Sequence, residues 1–424
     1  MSYGYSPLRA RRVLEYATNI MTDAPVVLLE GPRTVGKSTL LHQIVESRHG
    51  ELIDLDDVAT RDAVNADPSL AIDGDRLVCV DEYQKAPVIL DAIKAALNQV
   101  THPGRFVLTD SARHDALPPA AQALTGRLAT VPVYPLSQGE QAGIREDFLE
   151  RAIYSPTSVV SRDVSSTTRD EYVERICRGG FPLAIAASSD VARRRWLRDY
   201  VALTLERDVR ELSNLRQGDK LTALLGRLAG QTAQILNVAS AARAVDLEPV
   251  TAESYLRLLE KVFLVYRLEA WGKTLISRTV AKPKLHVLDS AVAATLLRLT
   301  PAKLATRNAT ASSEFGHLLE TFVVGELRKQ ASWIDAVTGL GHWRSHDGGE
   351  VDLVVETEDG GLVGFEVKAA SRASAHDVKG LRELRRAVKD NFIAGYVLYL
   401  GERTYSLGEG IHVVAIDRLW TPGT

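Results

Sequence analysis

The stretch VVLLEGPRTVGKSTLL, Val26 to Leu41, leaves few choices of fold. Val26–Leu29 is a short apolar run that ends before Gly31 and reads as a buried strand. The residues GPRTVGKS fit G-x-x-x-x-G-K-[ST], from Gly31 through Gly36 and Lys37 to Ser38. Ser38–Glu46 reads as the helix that follows. Glycines let such a loop close tightly, with its N–H groups turned inward at phosphate oxygens. The helix directs its positive end at the same charge. The expected nucleotide-binding set is Gly31, Pro32, Arg33, Thr34, Val35, Gly36, Lys37, Ser38 and Thr39. Lys37 neutralises the β- and γ-phosphates of ATP, and the Ser38 hydroxyl ligates Mg2+.

A loop of this kind works with an acid at the end of another apolar strand. RLVCVDEYQ supplies Asp81, expected to hold Mg2+ through water, and Glu82, placed to activate the attacking water. FVLTDSAR offers Thr109 and Ser111 to orient water or sense the γ-phosphate. Arg113 and Arg127 are candidates for a finger acting on a neighbouring subunit's nucleotide, which implies a homo-oligomer.

The wider pattern is α/β. Short apolar segments at Leu52–Leu55, Arg76–Val80, Arg105–Leu108 and Val131–Tyr134 alternate with helical ones, which predicts a mainly parallel sheet covered on both faces. SPTSVVSRDVSSTTRD is rich in Ser and Thr and reads as a linker or long surface loop. The following residues, to about Leu299, are mostly helical. They include a candidate helix-turn-helix with helices at Val238–Val245 and Thr251–Lys261. Helix, strands, helix and strand then run from Glu314 to Leu400. The expected domains are residues 1–145, 165–305 and 310–424.

Composition narrows the setting. At 424 residues the chain exceeds one compact core. Two cysteines, Cys79 and Cys177, exclude a disulfide framework and a cysteine-rich zinc site. The N-terminus lacks the apolar core of a signal peptide, and no apolar run is long enough to span a membrane. A cytoplasmic protein is the simplest expectation. The formal net charge of −3 weighs against tight, non-specific nucleic-acid binding by the whole chain, without excluding a local basic patch.

GPRTVGKSTL, IDLDD, VDEYQKAP, LTDSAR and LTGR, with RGGFPLA and LERDVREL, resemble a bacterial and archaeal family of AAA-type P-loop ATPases. Its members carry a middle domain of unknown function, containing a winged helix, and a C-terminal nuclease-like domain. The resemblance covers nearly the whole chain. Relatives usually read leucine-threonine-glycine-serine where this chain has Leu108, Thr109, Asp110 and Ser111, so Asp110 adds negative charge near the phosphates.

The last third carries a second constellation. Asp352 lies in GGEVDLVV, and Glu366 and Lys368 lie in VGFEVK. Strand alternation puts Glu366 and Lys368 on one face. With Glu320 on the preceding helix, and Glu314 as the second choice, the set resembles the PD-(D/E)xK nuclease core. That resemblance implies Mg2+ or Mn2+ held by Glu320, Asp352 and Glu366, with Lys368 stabilising charge at the phosphate. The same residues also fit a salt-bridged hairpin or a nuclease-like platform that no longer cuts.

In the middle segment, Thr251 is expected to cap the second helix, with Ser254 and Tyr255 on its exposed face and Arg257 and Lys261 towards phosphates. Glu253 and Glu260 cancel those two charges, which favours a regulatory or structural use over groove insertion. His342 and His346 read as surface histidines near the second site. The expectation overall is an ATP-hydrolysing protein that acts on nucleic acid, DNA in preference to RNA, as a Mg-dependent nuclease governed by ATP. The alternative is an ATP-dependent switch whose nuclease-like domain only binds nucleic acid or a protein partner.

Overall fold

The computed structural model describes residues 9–72, 74–113, 124–209, 218–272, 281–346 and 348–421. The chain divides into two compact units, Met1–Leu136 with Glu260–Phe263, and Ser137–Leu259 with Leu264–Thr424.

In the first unit five parallel strands form one sheet: β1 (Val26–Glu30), β2 (Glu51–Asp54), β3 (Val78–Asp81), β4 (Phe106–Asp110) and β5 (Leu128–Pro132). Their order is β2-β3-β4-β1-β5, so β4 separates the strand before the glycine loop from the strand that ends in Asp81. The central strands are buried up to their acidic ends, of which only Glu30 is half-buried, which explains the apolar runs before those ends. Val26, Leu28, Val78, Val80, Phe106 and Leu108 form one side of the core, with Ile89, Leu90, Ile93 and Leu97 of the helix Ile89–Gln99 packed on it. The fifth strand begins three residues before the expected Val131, where its ladder to β1 starts at Leu128.

The second unit opens with the helices Gln138–Ala142 and Phe148–Tyr154. The Ser/Thr-rich stretch after them is irregular, as expected, but it is docked rather than loose. Ser165 and Thr167 donate from their hydroxyls to the buried carboxylate of Asp417, and the Ser165 N–H donates to the Glu402 carbonyl. Both hydroxyls occupy Oδ2 of this buried acid, while its Oδ1 has no hydrogen-bond partner.

A helical stretch follows, with a small antiparallel sheet in the order β6-β8-β7: β6 (Gln234–Ile235), β7 (Val265–Leu268) and β8 (Lys284–Val287). Its helix-turn-helix consists of Val238–Ala244 and Pro249–Lys261. The second helix opens two residues early, on Pro249, so Thr251 lies inside it rather than at its cap. Tyr255 faces the core, not solvent. Arg257 pairs with Glu253, one turn away, at 3.4 Å.

A six-stranded mixed sheet ends the chain, in the order β13-β14-β12-β11-β10-β9. Its strands are β9 (Val337–Arg344), β10 (Glu350–Thr357), β11 (Leu362–Lys368), β12 (Phe392–Tyr399), β13 (Tyr405–Gly408) and β14 (Ile411–Ala415). The helix Lys379–Val388 covers one face through Leu381, Leu384 and Val388. The long helix Ala309–Ala331 packs against β10 and β11. The two sheets of this unit are stitched together: the His342 N–H donates to Glu269 O and the Trp271 N–H to His342 O. Gly341 permits the approach, because a Cβ there would lie 2.9 Å from Glu269 O. Among the described residues no helix is long and apolar enough to cross a membrane.

Candidate functional site

The glycine loop runs from the end of β1 into the helix Lys37–Arg48. Two glycines are needed for different reasons. A Cβ at Gly31 would sit 2.1 Å from Val133 O, and Gly36 holds φ +99° at the helix start. Lys37 is buried and donates from Nζ to the Gly31 and Pro32 carbonyls, each at 2.9 Å. Burial lowers its pKa to about 8, against the pull of Glu82, Asp110 and Asp81. Pro32 and Val35 are buried, whereas Thr34 and Ser38 are exposed and Arg33 and Thr39 are half-buried. Thr34 takes φ +63°, which a tight phosphate-type loop requires of one residue.

Because β4 lies between β1 and β3, Thr109 at its end meets the acid pair. Its hydroxyl donates to Asp81 Oδ1 at 2.5 Å and accepts the Glu82 N–H at 2.8 Å. Thr109 is fully buried and spends its hydroxyl on the acid pair, so it positions those residues. Ser111 donates to Glu82 Oε1 at 2.5 Å, and Arg33 Nη1 approaches Glu82 Oε2 at 3.9 Å. Glu82 itself sits at φ +54°, a left-handed conformation that a side chain seldom takes. Such strain persists only where surrounding bonds fix it, and here Ser111, Gln84 and Arg33 hold the buried carboxylate. Asp110 is buried and accepts the Ala112 N–H.

The structure does not bring Arg127 to this loop. It precedes β5, beside the start of β1, and donates to Asn98 Oδ1 at 2.8 Å. A strand of five residues, about 17 Å, separates that edge from the glycine loop. Sequence reasoning missed Arg11, which donates to Val35 O at 2.7 Å and Tyr134 O at 2.8 Å and so braces the loop from the preceding segment. A lone arginine among several before a helix carries no signal of that.

In the second unit, Asp352, Glu366, Lys368 and Glu320 do converge. The regular β10–β11 register, with Leu353 opposite Phe365, puts Asp352 level with Glu366. Asp352 Oδ2 accepts the Val367 N–H at 2.8 Å. Lys368 donates to Glu366 Oε1 at 2.6 Å, while Glu366 Oε2 is buried without a hydrogen-bond partner. Glu314 belongs to the first turns of the same helix as Glu320 and is half-buried.

The unforeseen member is Lys284, at the start of β8. Its Nζ lies 2.7 Å from Asp352 Oδ1, 2.7 Å from Glu320 Oε1 and 3.4 Å from Glu350 Oε1. Burial alone would lower the lysine's pKa, but Asp352, Glu320 and Glu350 outweigh it and hold the ammonium charged. Burial also opposes the charge on Asp352, which Lys284 nevertheless keeps ionised. Glu320 is pushed up to about 8 and Glu366 to about 9, in both cases by burial and then by Asp352. Among the described residues no three Asp, Glu, His or Cys side chains are arranged to hold a metal ion. The oxygen-only donors Asp352, Glu320 and Glu366 are nonetheless the hard ligands that Mg2+ or Mn2+ takes. His342 is buried rather than on the surface; its Nε2 contacts Lys282 O at 3.0 Å, and burial lowers its pKa to about 4.

Comparison with known proteins places residues 23–142 in a family described as AAA domain. Residues 169–303 and 315–419 match two domains of unknown function, DUF8612 and DUF4143. Uncharacterized proteins of Mycobacterium bovis and Mycobacterium tuberculosis are each 28% identical over 403 residues, covering 95% of this chain and 82% of theirs. A Walker-type ATPase of Pyrococcus abyssi is similar at 15% identity and a TM-score of 0.42, covering 68% of this chain and 95% of that one. The first unit is thus an AAA-type P-loop domain, and the C-terminal sheet is a separate α/β structure.

Proposed function

We propose that the chain binds and hydrolyses ATP and acts on nucleic acid, DNA in preference to RNA, through a Mg-dependent phosphodiester site in its last third. The observation that carries the first half is the buried Lys37 ammonium, held over the loop carbonyls with Glu82 fixed nearby. Lys37 would exchange the Gly31 and Pro32 carbonyls for β- and γ-phosphate oxygens. Glu82 would take the proton of the attacking water, with Ser111 and Arg33 setting its carboxylate. Ser38 and Asp81 would hold Mg2+, which supplies charge neutralisation at the phosphates. Arg127, too far to serve its own loop, would meet a neighbour's nucleotide in a homo-oligomer. The setting we propose is the cytoplasm.

The second half rests on the buried Asp352 and Glu366 meeting the half-buried Lys368 and Glu320. Asp352, Glu366 and Glu320 would ligate Mg2+ or Mn2+, which supplies Lewis acidity at the scissile phosphate, and Lys368 would stabilise its developing charge. The middle segment, a three-stranded sheet with a helix-turn-helix, reads as the winged helix of this arrangement. A cleavage assay on supercoiled, linear, single-stranded and branched DNA, with Mg2+ or Mn2+ and with or without ATP, tests the proposal. Loss of cutting in Asp352→Ala alone supports an ATP-independent nuclease; loss in Lys37→Ala as well supports coupling. One observation favours a second reading, a binding platform that does not cut: Lys284 sits among the acids. No cutting by any form selects that reading.

A further inference from the structure

We infer that Lys284 is an internal cation standing in for the divalent ion of the C-terminal site, so that lysine engagement and metal binding exclude each other. This rests on the reading of Asp352, Glu320 and Glu366 as metal ligands. The lysine does not belong to the sheet that carries the site. It comes from β8 of the small sheet, 36 residues before Glu320 and 68 before Asp352. Its Nζ is equidistant, at 2.7 Å, from one oxygen of each. A metal bridging those oxygens would sit about 2.0–2.6 Å from each, a position that overlaps the ammonium nitrogen. Two cations cannot share that volume.

One ammonium faces Glu320, Glu350 and Asp352, and beside it Glu366 Oε2 is left buried and unpaired. A divalent ion would give that oxygen a partner. Lys284 is the first residue of its strand, paired in register with Leu268 of β7 and Ile235 of β6. That sheet is joined to β9 through Glu269, Trp271 and His342.

The test is Mn2+ binding to the full chain, read by the loss of the free-ion paramagnetic signal, in a Lys37→Ala background that silences the glycine loop. Lys284→Met should gain one Mn2+ site at least tenfold tighter than anything in the Lys284 protein, and Lys284→Met/Asp352→Asn should lose it. Should Lys284→Met not fold, Lys284→Gln keeps all three acids around a neutral, hydrogen-bonding side chain, and the same gain is expected. If the Lys284 protein already binds Mn2+ as tightly, through Asp352, the exclusion is wrong while the metal-site reading stands. A gain that survives Asp352→Asn places the ion elsewhere and overturns the inference. If folded Lys284→Met and the Lys284 protein both bind none, the metal-site reading itself fails.

Discussion

Lys284 and Asp352, 68 residues apart in the chain, share a buried hydrogen bond of 2.7 Å in which the ammonium donates and the carboxylate accepts. The same ammonium serves Glu320. A group of this kind is felt chiefly when one partner is removed, because the others stay buried and uncompensated.

The stability of the second unit should therefore depend on Lys284. Lys284→Met is expected to lower its unfolding free energy by about 3–5 kcal/mol. Urea denaturation followed by tryptophan fluorescence measures this. Adding Asp352→Asn and Glu320→Gln to Lys284→Met should recover part of the loss, since the like charges go with the lysine.

ATP affinity should depend on pH through Lys37. Burial lowers its pKa to about 8 in the free protein, and phosphate oxygens favour the charged form. Binding then takes up a proton wherever the lysine is neutral. Affinity should be level below about 8 and fall above it, by at most about tenfold per pH unit. Titration with a fluorescent ATP analogue from about pH 7 to about pH 10 follows the change. A flat profile would contradict a neutral lysine at high pH.

Glu146 sets a different pH dependence. Burial pushes its carboxyl up to about 7, and the nearby Glu326 and Glu140 reinforce the effect. The folded chain keeps this proton to higher pH than the unfolded chain, so it favours folding at low pH. That contribution is lost as pH rises from the ordinary value of 4.5 through about 7. Glu146→Gln should match the unsubstituted protein near pH 5 and exceed it by about 2 kcal/mol near pH 8. Thermal melts at the two pH values decide it.

Thr109 offers a test of positioning. Thr109→Val keeps the shape but removes the hydroxyl that joins Asp81 to the Glu82 N–H. ATP turnover should drop about tenfold, the value of one such bond, while ATP affinity changes little. Equal losses in both would make Thr109 a contact of the nucleotide instead.

Much of this was legible in the chain because the relevant signals are local. The glycine loop, the apolar strands of the first sheet and the acid pair at 81–82 are each contiguous, and the structure realises them within a few residues. Asp352, Glu366 and Lys368 lie on neighbouring strands of one hairpin, so alternation alone was enough to bring them together. What was hidden depends on distant packing. Lys284 follows KP and precedes apolar residues, and nothing nearby in sequence shows that acids far along the chain will enclose it. Arg11 is similarly mute, because its partners are backbone carbonyls. Tyr255 was misplaced because its helix begins at Pro249, and packing rather than composition decided which face is buried. The strand β13 was missed because its four residues are exposed throughout and no core marks it.

The central claim is that the first unit hydrolyses ATP with Glu82 as the base. The most direct measurement is single-turnover ATP hydrolysis by Glu82→Gln beside the unsubstituted protein, with ATP affinity measured on the same samples. The account predicts intact ATP binding and a rate lowered by about 10²–10⁴-fold. Hydrolysis at an unchanged rate in Glu82→Gln would contradict it.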